Sequence, residues 1–191
     1  MKSLLLFFLF SASCVAQEYF PKSCFASSEG SHNFKAEWYS SQLKALKEAP
    51  LYAEKIDAKI ECYRFTWLRT FHHPVVLRVD VQKEGTGKFT IKVASGAGGY
   101  EPGKLVRNET KNWDGPRVKK IRDSFAAEKF FEIQSYEEGK LGCDGAEWII
   151  EAVRDGKYHI ISRWSPTEGS AYALGMELIK SAPGGDLKPI Y

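Results

Sequence analysis

The chain has 191 residues, with 27 Lys and Arg against 24 Asp and Glu, a net charge of +3, and 43% hydrophobic residues. That balance excludes a disordered polyelectrolyte, and the lack of a basic cluster interleaved with aromatics argues against a nucleic-acid partner. The length suits one domain with a core of its own.

Lys2, the apolar run Leu4 to Phe10 and the small-x-small triplet Cys14-Val15-Ala16 predict a secretory leader over residues 1–16, cleaved after Ala16. The run is too short to span a bilayer, so a secreted or periplasmic chain that does not cross the membrane is expected. Cys14 would suit a lipoprotein, but Ser11 stands where that motif wants Leu, and cleavage after Ala16 is preferred. Cys24, Cys62 and Cys143 then remain in an oxidising compartment, where one disulfide is expected. Cys62 opens a strand and Cys143 just precedes a hairpin, which makes them the expected pair. No Cys-x-x-Cys occurs, and nothing in the sequence asks for a metal or cofactor.

Residues 17–33 lack periodicity and read as an extended N-terminal arm. A single α+β domain is expected over 34–182. Its first helix, about Phe34 to Glu48, carries Tyr39, Leu43 and Leu46 on one face and stops before Pro50. A polar link leads to strands over Cys62 to Arg69, Val75 to Gln82 and Phe89 to Val93, the last two joined by the turn Lys83 to Lys88. The glycine-rich run Ser95 to Tyr100 precedes a fourth strand, Lys104 to Glu109. A helix over Val118 to Lys129 buries Val118, Ile121 and Phe125; a last helix, Glu168 to Ala182, buries Ala171, Leu174 and Leu178. A surface tail over 183–191 follows. The sum is a mainly antiparallel sheet with about three helices covering one face.

Two apolar runs, Ala146 to Val153 and Tyr158 to Trp164, flank Arg154-Asp155-Gly156-Lys157, a hairpin signal because Gly accepts positive φ and Asp tolerates it. A two-residue loop would pair Arg154 with Lys157 and mix both faces of the sheet. A three-residue loop with Gly156 as a bulge would pair Val153 with Lys157. It would set Glu151 against His159 and Glu147 against Arg163 on one polar face. Segregation of apolar from polar favours the second register.

Two functions compete on these residues. The first is a non-catalytic binding or inhibitor-type module that meets an envelope protein through Ser95, Gly96 and Tyr100. The second is an exported hydrolase in which Glu147 or Glu151 acts as acid or base, His159 as its partner and Arg163 as the anchor of an anionic substrate. Solvated ion pairs on a sheet face explain the second set as well. The glycine-rich run has neither P-loop nor dinucleotide spacing, though its amides could form an anion nest. His72 and His73 alternate on extended chain and are read as structural. Arg64, Arg69, Arg78 and Arg163 could floor an anion site, but charge balance with Glu147, Glu151 and Asp80 is preferred. Trp67, Trp148 and Trp164 read as core. Asn108-Glu109-Thr110 fits a glycosylation sequon, which matters only in a eukaryotic source.

The segments "FHHPVVLRV", "GAGGYEPGKL", "DGAEWIIEA" and "YHIISRWSP" together resemble a group of uncharacterised secreted bacterial proteins, over roughly Cys62 to Ile179. The resemblance implies envelope localisation and a common fold, without an activity. Ser95-Gly96 followed by Tyr100 is also similar to the loop with which periplasmic lysozyme inhibitors plug their target, at looser spacing and in a longer chain.

Overall fold

The computed structural model describes residues 18–22, 24–25, 29–54, 57–137, 142–182, 187 and 189–191. The expected leader lies outside them, as do residues 138–141 and part of the expected tail. The strands are β1 (Cys62–Arg69), β2 (Val75–Val81), β3 (Gly87–Ala94), β4 (Leu105–Trp113), β5 (Ala146–Arg154) and β6 (Lys157–Trp164). They form one antiparallel sheet in the order β4-β3-β2-β1-β5-β6. The helices are α1 (Glu29–Ala45), the single turn α2 (Leu51–Glu54), α3 (Gly115–Ala127) and α4 (Gly169–Ser181). This is an α+β fold.

Alternation along the strands builds two cores. Tyr63, Phe65 and Trp67 of β1, with Trp148 and Ile150 of β5, meet Val118, Ile121 and Phe125 of α3 and Leu174 and Leu178 of α4. On the opposite face Leu68, Val76, Ile149 and Ile160 meet Tyr39, Leu43 and Leu46 of α1. Tyr19, Phe20 and Phe25 of the arm complete that second core. Helices therefore cover both faces, which corrects the expectation of one, and α1 begins at Glu29, inside the segment expected to be extended. Among the described residues no helix is long and apolar enough to cross a membrane.

The β5–β6 hairpin takes the two-residue loop. Asp155 (φ 52°) and Gly156 (φ 71°) both adopt left-handed conformations, and Arg154 pairs with Lys157, Glu151 with Ile160 and Trp148 with Arg163. The three-residue register is overturned for a physical reason: Ala146 to Val153 is buried on both faces, so neither face needed to be polar. Burial instead requires each polar side chain on this strand to find a partner.

Among the described residues Cys24, Cys62 and Cys143 form no disulfide. β1 runs antiparallel to β5, pairing Cys62 with Val153 and Arg69 with Ala146. Cys143, just before Ala146, thus lies at the far end of the strand from Cys62, roughly 20 Å away at about 3.3 Å per residue, well beyond disulfide reach.

Candidate functional site

The glycine-rich run packs backbone against backbone. The amides of Ser95, Gly96 and Ala97 donate to the carbonyls of Lys104 (2.8 Å), Pro102 (2.8 Å) and Glu101 (3.1 Å). The amides of Gly98 and Gly99 donate to His72 (2.9 Å) and Thr70 (3.2 Å). A Cβ on Gly98 would stand 2.6 Å from the main chain of Leu68 and Arg69, and one on Gly96 2.0 Å from the Glu101 carbonyl. Close approach accounts for these glycines, and the amides an anion nest would need are already bonded within the protein.

The loop is also held from behind. The Trp38 indole donates to the Gly98 carbonyl at 2.8 Å, and the Gln42 side-chain amide donates to the Tyr100 carbonyl at 2.8 Å. His73 Nδ1 donates to the Gly96 carbonyl at 2.8 Å. The Ser95 hydroxyl is exposed but accepts the Lys104 amide at 3.0 Å. Ser95 and Gly96 therefore shape the loop, while Tyr100 is the side chain it presents.

Tyr100 is 63% exposed and lies over Phe71, itself 60% exposed, with ring centroids 6.1 Å apart and planes inclined at 30°. Phe34, 63% exposed, leans on Trp38 at 6.1 Å. The sequence reading named Tyr100 and missed Phe71 and Phe34. Signals were present: Phe71 is an aromatic inside a turn, and Phe34 and Trp38 are four residues apart and off the stripe of Tyr39, Leu43 and Leu46.

The other candidate set is divided. Glu147 and Glu151 lie on the α1 face of β5, among buried groups. The Ser162 hydroxyl donates to Glu147, Tyr39 and Ser162 hydroxyls stand 3.1 Å apart, and Lys35 Nζ is 3.6 Å from Glu147. Glu151 is gripped by Arg64 and accepts the Tyr158 hydroxyl at 2.9 Å. His159 and Arg163 are on the opposite face of β6. His159 Nε2 donates to the Ile133 carbonyl at 2.7 Å. Arg163 donates to the carbonyls of Gln134 (2.5 Å) and Ser135 (3.2 Å) and pairs with Glu137 at 3.1 Å. The structure therefore brings neither carboxylate together with the imidazole.

Electrostatics agree. Burial pushes the His159 imidazole below its ordinary range, the Ile133 bond opposes this, and nearby Arg163 lowers it further. Burial, reinforced by the Glu151 charge, pushes the Cys24 thiol up to about 12, so it is no ready nucleophile. Burial and then the Glu147 charge hold the Tyr39 hydroxyl far above its usual range.

A buried ionic cluster occupies the α1 face. Lys47 (φ 52°) ends the helix in a left-handed turn, with the Glu48 amide donating to the Leu43 carbonyl at 2.9 Å. That turn drives the Glu48 carboxylate beneath the sheet, 3.2 Å from Arg64, 3.3 Å from Arg78 and 2.6 Å from Lys92. Arg78 also pairs with Asp80 at 2.6 Å. Three cations thus meet Glu48, Glu151 and Asp80, so the arginines expected to balance charge do so at Arg64 and Arg78. His72 contacts the Tyr191 hydroxyl at 2.6 Å, and the Trp148 indole donates to the Tyr191 main-chain oxygen at 3.1 Å. No group of three or more metal-ligating side chains is assembled among the described residues. No family model, curated protein or solved structure matches the chain.

Proposed function

We propose that this protein is an exported, non-catalytic binding module of the cell envelope, of inhibitor type, and that it contacts a protein partner through Phe71 and Tyr100. One observation carries the reading: two large apolar rings stand more than half exposed, side by side, on loops whose main chains are locked. Exposing apolar area to water costs free energy that a partner's pocket recovers, and a pre-ordered loop loses little entropy on docking. Aromatic anchors of this kind dominate binding energy at protein interfaces. The expected leader supports export.

The test is photo-crosslinking in the native host. A benzoylphenylalanine replacing Tyr100 is expected to capture one protein, while the same group replacing Lys157, at the opposite end of the sheet, captures none. Equal capture from both positions, or none from position 100, would contradict the reading.

A further inference from the structure

The two edges of the sheet are finished differently. Along β6, the Ser162 amide donates to the Ser135 carbonyl at 2.7 Å, and His159 and Arg163 bind the carbonyls of Ile133 and Gln134. Residues 133–137 thereby cover that edge. β4 is the other terminal strand: nine residues without glycine or proline, with Asn108 to Asn112 all exposed. Among the described residues no segment pairs with its outer side. Such an edge presents a row of unpaired N–H and C=O groups, and natural sheets usually blunt it with like or unmatched charge. The charges on β4 instead alternate in sign.

We propose that β4 is a self-association edge, on which a second copy of this chain pairs antiparallel about a two-fold axis at Thr110. In that register Glu109 faces the partner's Lys111, and Lys111 faces the partner's Glu109. Lys111 makes no ion pair with a carboxylate of its own chain among the described residues, whereas Arg107 already binds both oxygens of Glu109 at 3.0 Å. The seam therefore sets Lys111, which within its own chain acts on Glu109 only from beyond ion-pair distance, directly opposite a partner carboxylate. On the other face, Thr90 and Thr110 hydroxyls lie 2.9 Å apart, so the two-fold continues a hydroxyl row through the partner's Thr110. Asn108 meets the partner's Asn112 beside it. A slip that centres Glu109 sets the two Glu109 carboxylates against each other and Arg107 against the partner's Lys111. A slip that centres Asn108 sets Arg107 against the partner's Glu109, a carboxylate that Arg107 already binds within its own chain, and leaves Lys111 facing the partner's Leu105. The match is of the strand with itself, which selects a second copy over a foreign strand.

Sedimentation velocity on the full chain purified from its host, from micromolar to roughly millimolar concentration, tests this. The wild type is expected to self-associate. Glu109→Lys and Lys111→Glu, both at exposed positions, each weaken association about tenfold, and the double exchange restores it to within about threefold. Thermal melting confirms that every variant is folded. A wild type that stays monomeric throughout, single variants that associate like wild type, or a double exchange no better than the singles would each overturn the proposal.

Discussion

Arg64 holds both carboxylate oxygens of Glu151, through Nε and Nη2 at 2.8 Å each, with both side chains fully buried where β1 and β5 pair. Its Nη1 also donates to the Ala49 carbonyl at 2.7 Å, tying the chain after α1 to the sheet. Removing one member of a buried pair leaves the other charged and desolvated, so Arg64→Ala is expected to cost about 3–5 kcal/mol. Arg64→Met combined with Glu151→Leu removes both charges of the pair, so that the Tyr158 hydroxyl and the Ala49 carbonyl lose a partner there, and is expected to cost less than the single variant. Urea unfolding checks both. A single variant as stable as wild type would show that the pair does not hold β1 to β5.

Glu48 gives stability a pH dependence. Burial alone would raise its carboxyl, but Arg64, Arg78 and Lys92 outweigh it and hold the group below its ordinary value of 4.5. A depressed folded-state value means that its contribution is present above about 4.5 and is lost as pH falls through the folded value. Glu48→Gln should therefore lose stability at pH 7, with the gap to wild type closing below pH ~4. Urea midpoints at several pH values measure this. A gap that widens on acidification contradicts it.

The thiols should sort by environment. Cys143 is exposed and should alkylate in the native protein, Cys24 should react slowly because its thiol is held protonated, and Cys62 should react only on unfolding. Peptide mapping after timed iodoacetamide treatment reads the order. A Cys62–Cys143 disulfide under non-reducing conditions would contradict the fold at both ends of β1.

Gly98 has no room for a methyl group against Leu68 and Arg69. Gly98→Ala is expected to cost about 1–3 kcal/mol by overpacking and to displace the Tyr100 loop from Trp38. Thermal melting and indole fluorescence report the two effects. A variant with wild-type stability and fluorescence would mean the loop is not packed as described.

Most of the fold was legible because period-2 alternation marks strands directly: Cys62 to Arg69 was read with the boundaries observed. The stripes on α3 and α4 were equally clear, since Val118, Ile121 and Phe125 repeat at helical spacing. The hairpin register was misread because it assumed a solvated face. Tyr19, Phe20 and Phe25, in an arm without periodicity, were the sign that apolar material existed to cover that face. Arg64 in the middle of an apolar strand was the companion sign, since a central strand with a buried arginine implies buried carboxylates opposite. At the site, Tyr100 was found through its loop, but its pairing with Phe71 depends on Gly98 and Gly99 docking against Thr70 and His72, a contact no local pattern encodes.

The central claim is that Phe71 and Tyr100 hold a protein partner, and native mass spectrometry of the protein purified gently from its host tests it most directly. Wild type should carry the added mass of another protein, while folded Phe71→Ser/Tyr100→Ser should be recovered without it; mass separates such a complex from a dimer of this chain. A wild type that carries no other protein, or a partner retained by the double variant, would contradict the claim.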